Sequence, residues 1–362
     1  MSQKTIQAYK KHVRRRMLFL FVLTVLLAAM SLLSLASGSA DIHLSDIFRL
    51  LKGESSDFVY QIIWNIRLPR LIGGVLSGAS LAIAGAVVQS LLRNLLASPY
   101  TLGISGAAAF GASFAIVVLG AGSAYAGSND MAMVNNPYVV TLSAFIWSLA
   151  GVGVILLLSK YKGATSEMII LSGIIVSSLF GAGISAMQYF ADNVQLASIV
   201  FWSFGDLGRA SWENLLILSL LLLPILLFFG WHVWTYKAMQ SGDEHAKSLG
   251  VRVQSVRLSG MLCAALLTAV VVSFYGVIAF VGLVVPHIIR RMIGSDEQFL
   301  LPASAVFGGF FLLLSDTLAR TLISPVVLPV GILTSFVGAP LFLFLLIRGF
   351  AGKKNHIYFP KK

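Results

Sequence analysis

The chain has 362 residues, of which 57% are hydrophobic and 11% are charged, whereas soluble domains carry roughly one charged residue in four. This composition excludes a soluble globular protein and indicates an integral membrane protein surrounded by lipid. The formal net charge is +12, but the basic residues lie at the chain ends and between apolar runs, so they indicate membrane orientation and not a nucleic-acid partner. The single cysteine, Cys263, excludes a disulfide framework and a metal-thiolate cluster.

Ten apolar runs are candidates to cross a bilayer as helices, which requires roughly 20 residues each. The first could instead be a cleaved signal peptide, because "SGSA" follows it, although its apolar core is longer than a signal peptide needs. The seventh and eighth share one uncharged run, in which Gly276 offers a break and Pro286 shortens or bends the second half. We predict an all-α integral membrane protein with about ten transmembrane helices. The runs are 17–37, 69–91, 101–121, 138–158, 168–190, 214–235, 256–275, 277–293, 301–320 and 330–348.

The distribution of Lys and Arg predicts the orientation of these helices, because cytoplasmic loops are enriched in both. With ten spans and the N-terminus inside, 20 of the 26 basic residues face the cytoplasm. Nine spans would place the basic C-terminal tail outside. The sequence therefore predicts that both termini are cytoplasmic, with a basic N-terminal segment at 1–16, a transmembrane domain at 17–348 and a basic tail at 349–362.

Small residues recur at every fourth position in several of these runs. Gly74, Gly78 and Ala82 in the second run are one example. This spacing allows helix backbones to approach closely inside a membrane. We therefore expect a tightly packed bundle and not a set of separate anchors.

Three arginines at the outer ends of predicted spans run against the charge bias: Arg67, Arg70 and Arg320. Asp316 lies four residues before Arg320, on the same face of a helix, so these two side chains can form an intramembrane ion pair. We interpret the pair as structural. An ion-coupling site is the alternative, because ionisable groups inside a membrane are often functional.

The sequence contains no motif for catalysis or metal binding. Its six histidines show no metal-ligand spacing, and it lacks the P-loop pattern that would hold nucleotide phosphates. We expect this chain to bind no cofactor and no metal. If ATP drives its activity, ATP and Mg must be bound by a partner ATPase.

The inner loop at 236–257 carries the pattern of a short helix outside the bilayer. Ser241 followed by Glu244 forms a capping-box pattern, Asp243 and Glu244 favour a helix start, and Gly250 is placed to end the helix. We predict a cytoplasmic helix of about two turns. It is either an ordinary connector or a docking helix that receives motion from a partner.

Several stretches together resemble the permease family of type II ABC importers, which carry iron-siderophores, haem and cobalamin. They are "IRLPR" (66–70), "LASPYTLGISGAAAFGA" (96–112), "GDEHAKSLGV" (242–251), "GVIAFVGLVVPHIIRRMIGSDEQFLLPASAVFGG" (276–309), "LSDTLAR" (314–320) and "LPVGILTSFVGAPLFLFLL" (328–346). The resemblance covers nearly the whole chain. One departure is "NLLASP", where the family often reads N-P-L-A-acid-P and this chain has Leu95 and Ser98.

The resemblance implies a set of partners. Two permease chains, identical or related, would surround a translocation path, with ABC ATPase subunits inside and an extracytoplasmic substrate-binding protein outside. Arg67, Arg70 and Arg320 match family arginines that meet acidic residues of the binding protein, which would steer and orient docking. Snorkelling anchors that stop helix sliding are the alternative for these arginines.

The resemblance also implies two cytoplasmic sites. The ATPase would dock on the residues Gly242, Asp243, Glu244, His245, Ala246, Lys247, Ser248, Leu249 and Gly250. The turn "KGATSEM" resembles the cytoplasmic gate of the family, which makes Thr165 and Ser166 gate candidates. An N-cap of the fifth span by either residue is the compatible alternative.

The leading hypothesis is therefore a non-catalytic permease subunit of a binding-protein-dependent ABC importer in a bacterial or archaeal cytoplasmic membrane. Its cargo would be a metal chelate, an iron-siderophore first, with haem and cobalamin next. The alternative is a secondary transporter coupled to protons or sodium, with Asp316 as its coupling residue. An intramembrane enzyme is a third hypothesis, but the sequence offers no reactive pair of side chains for it.

Overall fold

The computed structural model of the chain describes residues 3–38, 45–46, 49, 52, 56–121, 136–162, 165–323 and 326–353. These residues form helices and connecting turns and include no strand. The predicted all-α class is confirmed. The predicted C-terminal tail lies largely outside the described residues, whereas Gln3 to Arg16 form the first turns of a long helix.

The helices of the described residues are numbered here along the chain. In chain order they are α1 (Gln3–Ala36), α2 (Asp57–Gln61), α3 (Leu68–Leu92), α4 (Ile104–Val117), α5 (Pro137–Lys162), α6 (Ser166–Phe190), α7 (Asn193–Ser203), α8 (Trp212–Trp231), α9 (Val233–Gln240), α10 (Asp243–Ser248), α11 (Val253–Tyr275), α12 (Val281–Ile293), α13 (Glu297–Thr321) and α14 (Val330–Lys353). A π-helical turn at Ile62–Arg67 leads into α3, and a 3₁₀ turn at Leu207–Arg209 precedes α8.

Each of the ten predicted spans coincides with a helix, but the helices differ in length. In the described part of the chain, seven are long and apolar enough to cross a membrane, namely α1, α3 with the turns before it, α5, α6, α8, α11 and α13. The apolar part of α14, Val330–Leu345, is shorter than these seven. At the third and eighth predicted spans, α4 has 14 residues and α12 has 13, fewer than a full crossing requires.

The eighth predicted span is shortened because the chain leaves helical geometry between α11 and α12. Gly276 ends α11 with a φ of 77°, a left-handed value that favours glycine. Phe280 also has a left-handed φ, of 65°, and α12 begins only after it. The predicted break at Gly276 is confirmed, but the prediction that helix resumes at 277 is wrong.

Helix α3 lies at the centre of the bundle, and most of its residues are buried. It packs against α11, α12 and α13, whereas α1 lies at the edge and packs mainly against α13. The closest approach of α3 to α13 is at Gly78, where an added Cβ would collide with the carbonyl of Gly308. The close packing predicted from the small-residue spacing is confirmed at this position.

Gly78→Ala is therefore expected to destabilise the protein by about 1–3 kcal/mol, because a rigid backbone carbonyl must move to admit the methyl group. Gly153→Ala in α5 is the matched control, since a Cβ there meets no atom within 4 Å. Alanine has the higher helix propensity, so the control should be neutral or slightly stabilising. The thermal unfolding midpoints of the two purified variants measure the difference. Equal midpoints would contradict the packing described for Gly78.

Candidate functional site

The N-terminal end of α3 and the C-terminal end of α13, which are predicted to lie outside, are joined by a buried ion pair. Arg70 donates from Nε to both carboxylate oxygens of Asp316, at 3.0 and 3.1 Å, and from Nη2 to Oδ1 at 2.8 Å. Arg320 donates from Nε to Oδ2 of the same carboxylate at 3.0 Å. The Asp316 side chain is 1% exposed. The predicted pair of Asp316 and Arg320 is confirmed, and Arg70 is a further partner.

Two arginines also bind the C-terminal end of α1. Arg320 donates from Nη1 to the Ser37 carbonyl at 2.8 Å and from Nη2 to the Ser34 hydroxyl at 2.9 Å. Arg67, at the end of the π-helical turn, donates to the carbonyls of Leu35 and Ala36 at 2.6 and 3.0 Å. The last carbonyls of a helix lack intrahelical partners and carry the negative end of its dipole. The arginines therefore cap α1.

We call Arg67, Arg70, Asp316 and Arg320 the outer cluster. The structure brings together all three arginines that were predicted from the charge bias, together with the acid predicted as a partner of one. They do not form an open basic surface. Arg67 is 6% exposed, and the hydrogen bonds described above direct all three guanidinium groups to acceptors within this chain.

At the other end of the bundle, α10 occupies the loop where a short helix was predicted. Gly242 precedes it with a φ of 115°, and Gly250 follows it with a left-handed φ of 82°. The predicted capping box is wrong, because Ser241 ends α9 and α10 has no side-chain cap. The helix has six residues, so its position is held by contacts outside the helix.

Asp243 anchors α10 to the inner end of α3. Its two carboxylate oxygens each accept a hydrogen bond of 2.9 Å from Nη2 of Arg257, in α11. Arg93, directly after α3, lies 3.3 Å from the same carboxylate. Arg257 is buried and donates from Nε to the Leu91 carbonyl at 3.2 Å. We call Arg93, Asp243 and Arg257 the inner anchor.

Most other side chains of α10 are exposed to the surroundings. Ala246 is fully buried beneath the helix, whereas Glu244, His245, Lys247, Ser248 and Leu249 are exposed. Glu244 accepts a hydrogen bond of 2.8 Å from Lys247, which raises the pKa of that lysine and keeps it charged at physiological pH. Helix α10 is therefore fixed at its first residue by ion pairs and is exposed along most of its remaining length.

A buried carboxylate that the sequence analysis did not single out lies near the inner anchor. Glu297, at the start of α13, is 0% exposed and accepts hydrogen bonds from the Ser90 hydroxyl and the Gln240 amide. Nη1 of Arg290 lies 3.7 Å away. These contacts connect α3, the end of α9, α12 and α13. The sequence offers no local signal for this site, because the partners Ser90 and Gln240 are distant from Glu297 along the chain.

The predicted gate residues lie at the start of α6. Thr165 is the N-cap of this helix, and its hydroxyl accepts a hydrogen bond of 3.3 Å from the Met168 amide. Ser166 is the first helical residue and is half-buried. The N-cap interpretation is confirmed for Thr165. A gating role for either residue stays a prediction, and Gly163 and Ala164 lie outside the described residues.

Among the residues that the structure describes, no three His, Cys, Asp or Glu side chains gather where they could hold a metal ion. Charged side chains concentrate instead at the two ends of the bundle, in the outer cluster and around the inner anchor. Apolar helices of this length, with ion pairs at both ends of the bundle, are typical of a multi-span membrane protein.

Comparison with known proteins gives the family. The model of the FecCD transport family matches residues 26–348, and the chain belongs to this family. A protein of Methanocaldococcus jannaschii, named as an ABC transporter permease, is 50% identical over 342 residues, which is 94% of this chain and 97% of that protein. The hemin transport system permease protein of Yersinia pestis is 40% identical over 332 residues, covering 91% of this chain and 94% of that one.

A solved structure shares the fold across nearly its whole length. It is described as an inward-facing conformation of a metal-chelate type ABC transporter, with a TM-score of 0.80 and 31% sequence identity. The match covers 91% of this chain and 99% of the solved chain. The family consists of transport permeases, so the chain is a transport permease subunit.

Proposed function

We propose that the chain is the permease subunit of a type II ABC importer and moves a metal chelate across the cytoplasmic membrane of a bacterium or archaeon. ATP hydrolysis on a separate ATPase would drive alternation between outward and inward access. An iron-siderophore is the first choice of cargo, with haem and cobalamin next. The similarity to a hemin permease and to a metal-chelate transporter supports this class of cargo.

The observation that carries the proposal is the combination of exposure and anchoring in α10. Its exposed residues form the surface on which the ATPase would dock. Its Asp243 is bound to Arg257, which also binds the end of α3. Because these bonds are short and the arginine is buried, a displacement of α10 by the ATPase would be passed to α3 and α11.

The outer cluster would be the docking region of the substrate-binding protein. Acidic residues of that partner would compete with the acceptors that now bind Arg67, Arg70 and Arg320, namely Asp316 and the end of α1. Docking would then exchange hydrogen bonds and change the contacts that hold α1 against α13. This exchange gives binding on the outside a direct effect on helix packing.

The distribution of charge suits a large chelate. The buried ion pairs described above lie at the ends of the bundle, so the middle of the spans offers mainly apolar groups and hydroxyls such as Ser77 and Thr268. A path between spans of this composition would bind cargo weakly, and the affinity for cargo would reside in the binding protein. The second permease would be another copy of this chain or a related one, packed against exposed apolar helix faces.

Copurification tests the proposal. The tagged chain, isolated in mild detergent from its own host, is expected to bring down a P-loop ATPase in stoichiometric amount, detected by mass spectrometry. Leu249→Glu should lose the ATPase, because Leu249, directly after α10, is 61% exposed and a carboxylate would be buried in the complex without a partner. The variant should keep the wild-type unfolding midpoint. Absence of any ATPase from the wild-type preparation would overturn the proposal.

A further inference from the structure

A basic groove lies at the edge of the bundle, between the first part of α1 and the end of α12. Its volume is about 350 Å³, and it is lined by His12, Arg15, Arg16, Phe19, Met292 and Ile293. It is remote from the outer cluster, and the function proposed above makes no use of it.

The length of α1 places this groove at the level of the lipid headgroups. Measured back from Ala36, which lies beside Arg67, a hydrocarbon layer of about 30 Å is spanned by about 20 helical residues. The helix therefore leaves the hydrocarbon close to Met17, and His12, Arg15 and Arg16 lie just beyond it. The basic charge of this end predicts that it faces the cytoplasm, so the headgroups are those of the inner leaflet.

The groove keeps a positive charge despite one nearby acid. Arg16 binds Asp296 through Nη1 at 2.9 Å, but the same carboxylate also binds Lys237 at 3.2 Å. Asp296 is thus shared between two cations. In the described part of the chain Arg15 makes no ion pair, and its exposed guanidinium has donors available for a ligand.

The surface next to the groove is apolar. Immediately along α1 toward the membrane, the side chains of Met17, Leu18, Phe21 and Val22 are exposed, and Met292 is exposed on the other wall. Cationic donors at the headgroup level with apolar side chains directly below them match an amphiphile that has an anionic head. A free phosphate ion would use only the first of these two features.

We propose that this groove binds an anionic lipid of the inner leaflet. Arg15 and the unshared donors of Arg16 bind the phosphodiester oxygens, as guanidinium groups do in bidentate fashion, and the acyl chains lie along the exposed face of α1. The bound lipid would hold α1 against α12 and α13, where Leu23, Ile289 and Leu300 form a small apolar core.

The test uses the full chain, purified with the subunits that accompany it. Ligand retention is measured by native mass spectrometry. The micelles contain phosphatidylglycerol or phosphatidylcholine, and in a separate sample inorganic phosphate is added to the buffer. We expect phosphatidylglycerol to be retained in preference to phosphatidylcholine, and Arg15→Gln to lower its affinity about fivefold. Arg14→Gln is the matched control, because Arg14 is exposed but does not line the groove. Arg15→Lys should keep most of the preference.

Three outcomes would overturn the proposal. Equal retention of the two lipids would show that the headgroup charge is not recognised. Equal losses in Arg14→Gln and Arg15→Gln would show a diffuse effect of surface charge in place of a site. Inorganic phosphate binding that depends on Arg15 and matches phosphatidylglycerol in strength would assign the groove to a free anion. Each variant counts as folded if its unfolding midpoint in phosphatidylcholine micelles equals that of the wild type.

Discussion

Asp316→Asn is expected to destabilise the protein by about 3–5 kcal/mol, because loss of one partner leaves buried charges uncompensated. Both Arg70 and Arg320 depend on this carboxylate, and without its charge the two guanidinium groups repel each other. The side chains of Arg70 and Arg320 are only 13% and 10% exposed, so water cannot replace the lost acceptor. Unfolding of the purified protein in mixed micelles measures the effect.

Asp206→Asn is the matched control for this experiment. Asp206 lies 3.5 Å from Arg70, but its side chain is 40% exposed, and exposed ion pairs contribute about 0–1 kcal/mol. The amide can still accept the hydrogen bond that Asp206 receives from the Gly208 backbone. Equal stability of the two variants would contradict the role of Asp316 as the central carboxylate of the outer cluster.

Asp316→Asn also distinguishes the importer hypothesis from the hypothesis of an ion-coupled secondary transporter. A coupling carboxylate must take up and release a proton or sodium ion, whereas two guanidinium groups already occupy both oxygens of Asp316. We therefore interpret this residue as structural. If Asp316→Asn remained folded and lost an ion-driven uptake that the wild type performs in vesicles, the secondary transporter would be correct.

Asp243→Ala is expected to uncouple transport from ATP hydrolysis. The variant leaves buried Arg257 without its carboxylate, and α10 loses the hydrogen bonds that hold it to Arg257 in α11. A charge-assisted hydrogen bond contributes about 1.5–3 kcal/mol, so the population of correctly held α10 should fall on the order of tenfold or more. ATP-dependent uptake in proteoliposomes should fall by a similar factor, while hydrolysis by the ATPase continues.

The neighbouring acid is the control for Asp243. Glu244 has the same charge on the same helix, but its side chain is 89% exposed and its ion pair is with Lys247, in the same helix. Glu244→Ala should therefore change uptake much less than Asp243→Ala. Equal losses of uptake would show that the acidic surface of α10 matters and that the inner anchor does not.

Spacing along the chain explains which contacts of the outer cluster and of Glu297 could be predicted from the sequence. Asp316 and Arg320 are four residues apart, so helical periodicity alone predicts their pairing. Arg70 is 246 residues away from Asp316, and no periodic pattern relates them. Glu297 was missed for the same reason, since its partners Ser90 and Gln240 come from other helices.

Helix ends were harder to predict than helices. Hydropathy predicted the ten apolar segments, but a capping pattern can be satisfied by either of two adjacent helices. Ser241 has the residue type of an N-cap, yet it ends α9, and the positive φ of Gly242 separates the two helices. In the uncharged run before Pro286, hydropathy does not change where the backbone leaves helical geometry. The start of α12 therefore depended on tertiary packing.

Helix α3 is hydrogen-bonded to neighbouring helices at both of its ends. It has 25 residues and is about 37 Å long. A tilt of about 5° around its midpoint would move its ends by about 1.6 Å in opposite directions, which is more than a hydrogen bond tolerates. Its outer end is bonded to α13 through Arg70, and its inner end to α11 through Leu91. The helix can therefore tilt only if these neighbours move with it or the bonds break, so a displacement at one end of α3 alters the packing at its other end.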